Sequence, residues 1–275
     1  MDILAAIQQR MSVRSYGKRR VASPLLKHLL TFSETADHLT EMPPRVALVS
    51  GIDQTRQVLT HLAGSYGLIL NSPHLLVGVL PEEGNAARLN LGYVLEQVVL
   101  EATKLGLNTC WVTGSYDAQQ AMEAVNLASG ETVAAVCALG YADERNWGRL
   151  HSRVVRRLAG GHRRKPLPEI VFSQRWKNPW SPDDADPILT TVLEHTRLAP
   201  SASNRQPWRF IVRVEDIALA LTRPSPIDGG IAMAHFALAS IALGYAGRWK
   251  VRLGDAALAE ECNLPEKALA VATFG

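Results

Sequence analysis

The 275-residue chain has few of the features that mark secreted, disulfide-stapled or membrane-embedded proteins. Its only cysteines are Cys110, Cys137 and Cys262, an odd number with no Cys-x-x-Cys spacing, which argues against a disulfide framework or a cysteine zinc site. The first ten residues lack the basic start and long apolar run of a signal peptide. The longest nearly uncharged stretch, residues 227–247, contains Asp228 and His235 and many small residues, so it reads as a buried helix rather than a membrane span. No Gly-x-Gly-x-x-Gly follows a strand pattern, which leaves a Rossmann dinucleotide site unsupported. No catalytic triad or metal-ligating cluster stands out. The expectation from these absences is a cytoplasmic protein without a membrane partner.

What is present is an ordinary globular balance, with 47% hydrophobic and 20% charged residues and a net charge of +3. A chain of this length buries a core large enough to need no staples. The positive excess gathers between Arg145 and Lys165, including Arg149, Arg153, Arg156, Arg157, Arg163 and Arg164. Such a cluster suits an anionic ligand, nucleic acid or plain solvated surface; with Trp147 its only aromatic, a nucleic-acid partner is the reading least supported.

The chain also resembles itself. Gly92, Leu100, Gly106 and Trp111 recur as Gly230, Leu238, Gly244 and Trp249, each 138 residues later. Both intervals are apolar at helical spacing, as expected of central core helices. Residues 135–140 (Ala-Val-Cys-Ala-Leu-Gly) recur 135 residues later as 270–275 (Ala-Val-Ala-Thr-Phe-Gly), and both read as buried strands. A third match, at 163 residues, pairs Ser23-Pro24 with Asp186-Pro187, Pro44 with Pro207, and Leu48-Val49 with Ile211-Val212. Each copy offers a capping residue, a proline at the first helical position, a helix and then a strand. Residues 174–186, rich in proline and polar groups, mark the junction. The expectation is an α+β fold, an α/β sandwich in which two sheet-plus-helix halves, 1–175 and 176–275, pack as an intrachain pseudo-dimer.

The halves differ where chemistry is expected. The second follows its first helix with residues 198–212, a stretch containing Pro200, Ser201, Ser203, Asn204 and Gln206 before Trp208; at the equivalent place, residues 35–44, the first has a plainer segment. Short side-chain donors and acceptors can read the edge of a heteroaromatic ring, and they equally suit caps and turns. The first half instead opens with Arg10, Ser12 and Arg14, two guanidinium groups four residues apart around a hydroxyl. That set can converge on a phosphate or form an exposed basic helix end.

Together these motifs resemble the nitroreductase-like FMN oxidoreductases. The family's Arg-x-Ser-x-Arg start matches Arg10, Ser12 and Arg14; its Ala-Pro-Ser-x-x-Asn-x-Gln-Pro-Trp signature matches Ala199 through Trp208; its turn after the core helix resembles residues 105–114; and its late basic stretch resembles residues 162–169. Typical members are homodimers that build each flavin site from both subunits. Here the phosphate motif and the Ser/Asn loop fall in different halves of one chain, which resembles the single-chain "putative TM nitroreductase" subgroup.

The resemblance implies that Arg10, Ser12, Arg14 and Arg164 bind the FMN phosphate. It implies that Thr113 and Gly114 approach flavin N5, and that Pro200, Ser201, Ser203, Asn204 and Gln206 line the flavin from the other half. His162 departs from the basic residue many members carry, and a core packing role suits Trp208 as well as ligand contact. The implied activity is ping-pong hydride transfer from NADH or NADPH through flavin N5 to a nitroaromatic, quinone or similar small acceptor, needing no catalytic side chain. One FMN per chain is expected, in a monomeric pseudo-dimer or weak homo-oligomer. A flavin-binding or flavin-sequestering protein with little turnover is the alternative. His235 reads as a hydrogen-bonded core histidine.

Overall fold

The computed structural model describes residues 1–59, 69–114, 116–145, 163–184 and 186–275. The first half runs α1 (Ile3–Gln9), α2 (Ser23–Thr35), β1 (Arg45–Ser50), α3 (Ile52–Val58), β2 (His74–Leu80), α4 (Asn85–Lys104), β3 (Asn108–Val112), α5 (Ala118–Ala124) and β4 (Thr132–Gly140). After α6 (Leu167–Ile170) and β5 (Val171–Ser173) come α7 (Pro187–Thr196), β6 (Trp208–Val212), β7 (Ile217–Leu221), α8 (Pro226–Leu243), β8 (Trp249–Val251), α9 (Ala256–Glu261) and β9 (Leu269–Phe274).

One sheet has the order β1-β2-β4-β3 and the other β5-β6-β7-β9-β8. Setting β5 aside, the two orders match strand for strand and all pairings are antiparallel. The matches seen in the sequence fall at matched places. Residues 135–140 and 270–274 lie in the third strand of their sheets, and Trp111 and Trp249 lie in the fourth. Gly106 and Gly244 follow the core helices with φ of +77° and +74°, the left-handed conformation in which helices commonly end.

The third match needs one correction. Asp186 caps α7 as expected, accepting the Ile188 N–H at 2.8 Å. Ser23, however, lies inside the first turn of α2, and Ala22 holds the cap position without a side-chain bond.

Helices α4 and α8 are buried around most of their circumference, because each has a sheet on one side and the other helix on the next. Leu91, Leu95, Val98 and Val99 of α4 pack with Leu76, Ala135 and Leu139 of the first sheet. Met233 and Phe236 of α8 pack with Phe210, Leu219 and Phe274 of the second. Among the described residues α8 is the one helix long and apolar enough to cross a membrane, and 72% of that stretch is buried inside the fold.

The two helices meet at the matched glycines. A Cβ on Gly92 would stand 2.2 Å from the Ile227 carbonyl oxygen, and one on Gly230 would stand 1.9 Å from that of Leu89. In each case the obstructing carbonyl belongs to the residue three before the other glycine, so the contact is reciprocal about a local twofold axis. The ends of the first half also reach across the axis. Strand β5 adds to the second sheet in parallel with β6, and Ile7 of α1 joins the core around α7 and α8.

Gly92→Ala and Gly230→Ala are each expected to cost at least ~2 kcal/mol, because the obstructing atoms are backbone and cannot rotate aside. The double variant should cost less than the sum, since helices already forced apart admit the second methyl. Urea unfolding of the single and double variants checks both statements; strict additivity would mean that the two glycines do not share one contact.

Candidate functional site

The arginine motif lies along the edge of the first sheet. After α1 the chain extends beside β3, with Ser12 bridging Thr109 in parallel and Val13 N–H donating to the Thr109 carbonyl at 2.9 Å. This brings Arg10, Ser12 and Arg14 around Cys110. Burial raises the Cys110 thiol above its ordinary pKa, while Arg14, Arg10 and a hydrogen bond with Ser12 pull it back. Arg14 and Ser12 are half-buried, and Arg10 is buried. Thr113 and Gly114 follow β3 directly and are exposed; Gly114 has φ +130°, with open space where a Cβ would point.

The Ser/Asn loop is strained. Ser203, Asn204 and Gln206 have φ of 55°, 53° and 50°, placing three non-glycine residues within four positions in the left-handed region. Clustered strain of this kind persists only where the surroundings hold it, and it gathers at ligand clamps. Here the loop is laced to the late basic stretch. Arg164 donates to Asn204 Oδ1 and, at 3.0 Å, to the Leu198 carbonyl. Asn204 Nδ2 donates to the Arg163 carbonyl at 2.7 Å, and Gln206 Oε1 accepts the Lys165 N–H at 2.8 Å. Ser201 Oγ accepts the Gln206 N–H at 2.9 Å. Gln206 is therefore buried and engaged as a latch, while Ser201, Ser203 and Asn204 stay half-exposed beside the buried Pro200. Trp208 is fully buried in the core, in keeping with its packing role. His162 and, of the basic cluster, Arg149, Arg153, Arg156 and Arg157 lie outside the described residues.

A matched pair of polar residues pins the loops of both halves. Asn90 Oδ1 on α4 accepts the Leu39 N–H at 2.8 Å, and Asp228 Oδ1 on α8 accepts the Ala202 N–H at 3.0 Å. Asn90 and Asp228 are related by the 138-residue register, Leu39 and Ala202 by the 163-residue register, so the two repeats meet in one hydrogen bond. Asp228 also accepts from Ser225 Oγ at 2.6 Å; burial pushes its carboxyl above the ordinary value, against the pull of these donors. In the first half the fastening is tighter still. Tyr93 donates to Asp37 Oδ2 at 2.8 Å and Gln97 Nε2 to the Asp37 carbonyl at 2.7 Å, which draws that loop onto the core helix.

Three residues converge behind Arg10, and of these only Glu96 was not singled out in the sequence. Glu96 of α4 is fully buried; its carboxylate accepts from Trp111 Nε1 at 2.6 Å and pairs with His235 Nε2 at 2.8 Å. Arg10 Nε lies 4.0 Å from the same carboxylate. His235 is thus the hydrogen-bonded core histidine expected, and burial lowers its pKa, opposed by Glu96. A separate cleft of about 410 Å³ lies at the Asn108 end of β3, where Arg19 stacks 3.9 Å over Tyr141; none of the candidate residues lines it.

A family model described as "Putative TM nitroreductase" matches residues 2–240. No curated protein matches the chain. Among solved structures the chain is similar to a putative nitroreductase from Thermotoga maritima, with TM-score 0.60 and 20% identity over 98% of this chain and 93% of that one. It also overlaps a nitroreductase family protein from Clostridium novyi, with TM-score 0.46 and 18% identity over 66% and 97% of the two chains. For an FMN-dependent nitroreductase from Clostridium difficile the values are 0.45 and 18% over 51% and 88%. The Thermotoga similarity, running nearly end to end in both chains, shows a shared fold.

The Asp228 clamp carries its own test. Asp228→Ala leaves the Ala202 N–H and Ser225 hydroxyl without their acceptor and should cost about 1–3 kcal/mol. It should also speed hydrogen exchange at the Ala202 amide. Asp228→Asn should restore both toward wild type, because Asn90 does the same work with an amide; an asparagine variant as loose as the alanine one would refute the clamp.

Proposed function

The chain belongs to the "Putative TM nitroreductase" family of nitroreductase-like oxidoreductases, and from that premise we propose that it is an FMN-dependent NAD(P)H oxidoreductase with one flavin site per chain. The observation that carries this reading is the division of labour between the halves. A cluster of guanidinium groups and a hydroxyl sits at β3 in one half, and a strained polar loop sits in the other. FMN fits the chemistry of this donor set. Arg10, Ser12 and Arg14 offer planar forks and a short donor suited to a phosphate dianion. The open backbone at Gly114 leaves room for a flat ring to approach without meeting a side chain.

When bound, FMN supplies the hydride chemistry, accepting from NADH or NADPH and giving to a nitroaromatic, quinone or similar small acceptor. The protein's part is to bind and orient. Arg10, Ser12 and Arg14 would hold the phosphate, and the Thr113–Gly114 backbone would meet the ring. Pro200, Ser201, Ser203 and Asn204 would contact it from the other half, with Arg164 fixing Asn204 and Gln206 latching the loop. In the first half, the loop corresponding to the Ser/Asn segment is fastened onto α4 by Asn90, Tyr93 and Gln97. That fastening supports one site rather than two.

Purified protein should bind one FMN per chain, and Arg14→Ala and Asn204→Ala should each weaken binding by at least ~10-fold although they lie in different halves. Anaerobic addition of NADH or NADPH should bleach the bound flavin. Protein that takes up no FMN would refute the flavin site; tight FMN that neither nucleotide reduces would replace the reductase with a flavin-sequestering protein.

A further inference from the structure

The buried carboxylate of Glu96 has no part in the function as stated, and it stands on one side only of a nearly symmetric helix pair. The matched tryptophans show what the fold itself requires. In the second half Trp249 Nε1 donates to the Met233 carbonyl of α8 at 3.1 Å, so a core-helix backbone oxygen suffices for this indole. In the first half Trp111 Nε1 turns instead to the Glu96 side chain at 2.6 Å. The 138-residue register sets Ala234 opposite Glu96 and Gln97 opposite His235. The carboxylate is therefore absent from the half that lacks an arginine motif and present in the half that has one, with His235 reaching it from the opposite core helix.

Resting on the flavin reading above, we propose that Glu96 is a positioning residue for the phosphate end of the site, acting through Arg10. Its carboxylate is held by Trp111 from β3 and by His235 from α8, and it faces the Arg10 guanidinium at 4.0 Å. Both side chains of the Arg10–Glu96 pair are nearly inaccessible, at 3% and 0% exposure. An arginine keeps its charge under all ordinary conditions, so a counter-charge facing a buried guanidinium helps to hold it in place. Without Glu96 the side chain turns toward water and its donors leave the phosphate. Removing the negative charge would also make the pocket more positive and so favour phosphate. Loss of position outweighs that gain, because phosphate recognition by arginine depends on fork geometry and a displaced fork makes no contact at all.

The test compares FMN with riboflavin, which has the same ring and ribityl chain and no phosphate. Glu96→Gln, close to isosteric, should weaken FMN binding about ten-fold while riboflavin binding is unchanged, and it should have no further effect in an Arg10→Ala background. A fold-level role would weaken both flavins alike and add to the Arg10 change. An unchanged or tightened FMN affinity, an equal loss for riboflavin, or additivity with Arg10→Ala each overturns the proposal. Should Glu96→Gln not fold, His235→Gln, which gives α8 the side chain α4 already carries at Gln97, should produce a smaller loss confined to FMN; a loss shared with riboflavin, or none, overturns it equally. Wild-type protein run beside the variants separates the two levels. Wild type that binds FMN with insensitive variants removes Glu96 alone, whereas wild type that binds no FMN removes both readings.

Discussion

The fold depends on two helices coming closer than side chains allow. Where α4 crosses α8, Gly92 and Gly230 each face a carbonyl oxygen of the opposite helix with no room for a methyl group. A crossing this close binds the halves through backbone contact, and its reciprocal form sets a local twofold relation. The sheets follow from it. Each core helix has one face against its partner and must bury another against a sheet, so the order becomes sheet, helix pair, sheet. The candidate site inherits the same geometry: the arginine motif lies beside β3 of one sheet, and the Ser/Asn loop leads into β6 of the other.

Within this symmetric frame the residues are unequal, and the inequality has a direction. Asn90 and Asp228 do the same work, but the side with the carboxylate is the side whose loop is strained. Trp111 and Trp249 occupy matched strands, yet one donates to a side chain and the other to the backbone. Polar residues that serve only the fold would be expected in both halves. Glu96 of the first half, matched by Ala234, and His235 of the second, matched by Gln97, have no like counterpart, and both crowd toward Arg10.

Much of this was legible in the sequence because a repeat exposes its register. The core helices and the paired glycines sat at a displacement of 138 and the third strands at one of 135, and apolar helical spacing gave the helices their element type. The cap at Ser23 misled because serine is favoured both as a cap and within the first turn, and only backbone angles separate the two. Strand β5 is three residues long and pairs in parallel, too short for alternation to mark it. The loop residues could be named from composition and motif, but their left-handed backbone could not. Nor could the Glu96–His235 contact be read, since its members are 139 positions apart and each looks like an isolated polar residue in an apolar helix.

Those unseen features share an energetic character. A buried ion pair commonly gains less from its attraction than it loses in desolvation, and each left-handed non-glycine residue adds strain of order 1 kcal/mol. Trp249 shows that a backbone carbonyl would have met the requirement of the indole, so neither the Glu96 network nor the loop strain is explained by stability. Both lie beside the candidate site rather than its counterpart across the axis. Such terms are tolerable in a domain only a few kcal/mol from unfolding when something else offsets them. The offset available here is the shared apolar core of α4, α8 and the two sheets, to which both halves contribute. The first half, with its own loop fastened to α4, thereby supplies the charged part of the site and helps to hold the strained loop of the second.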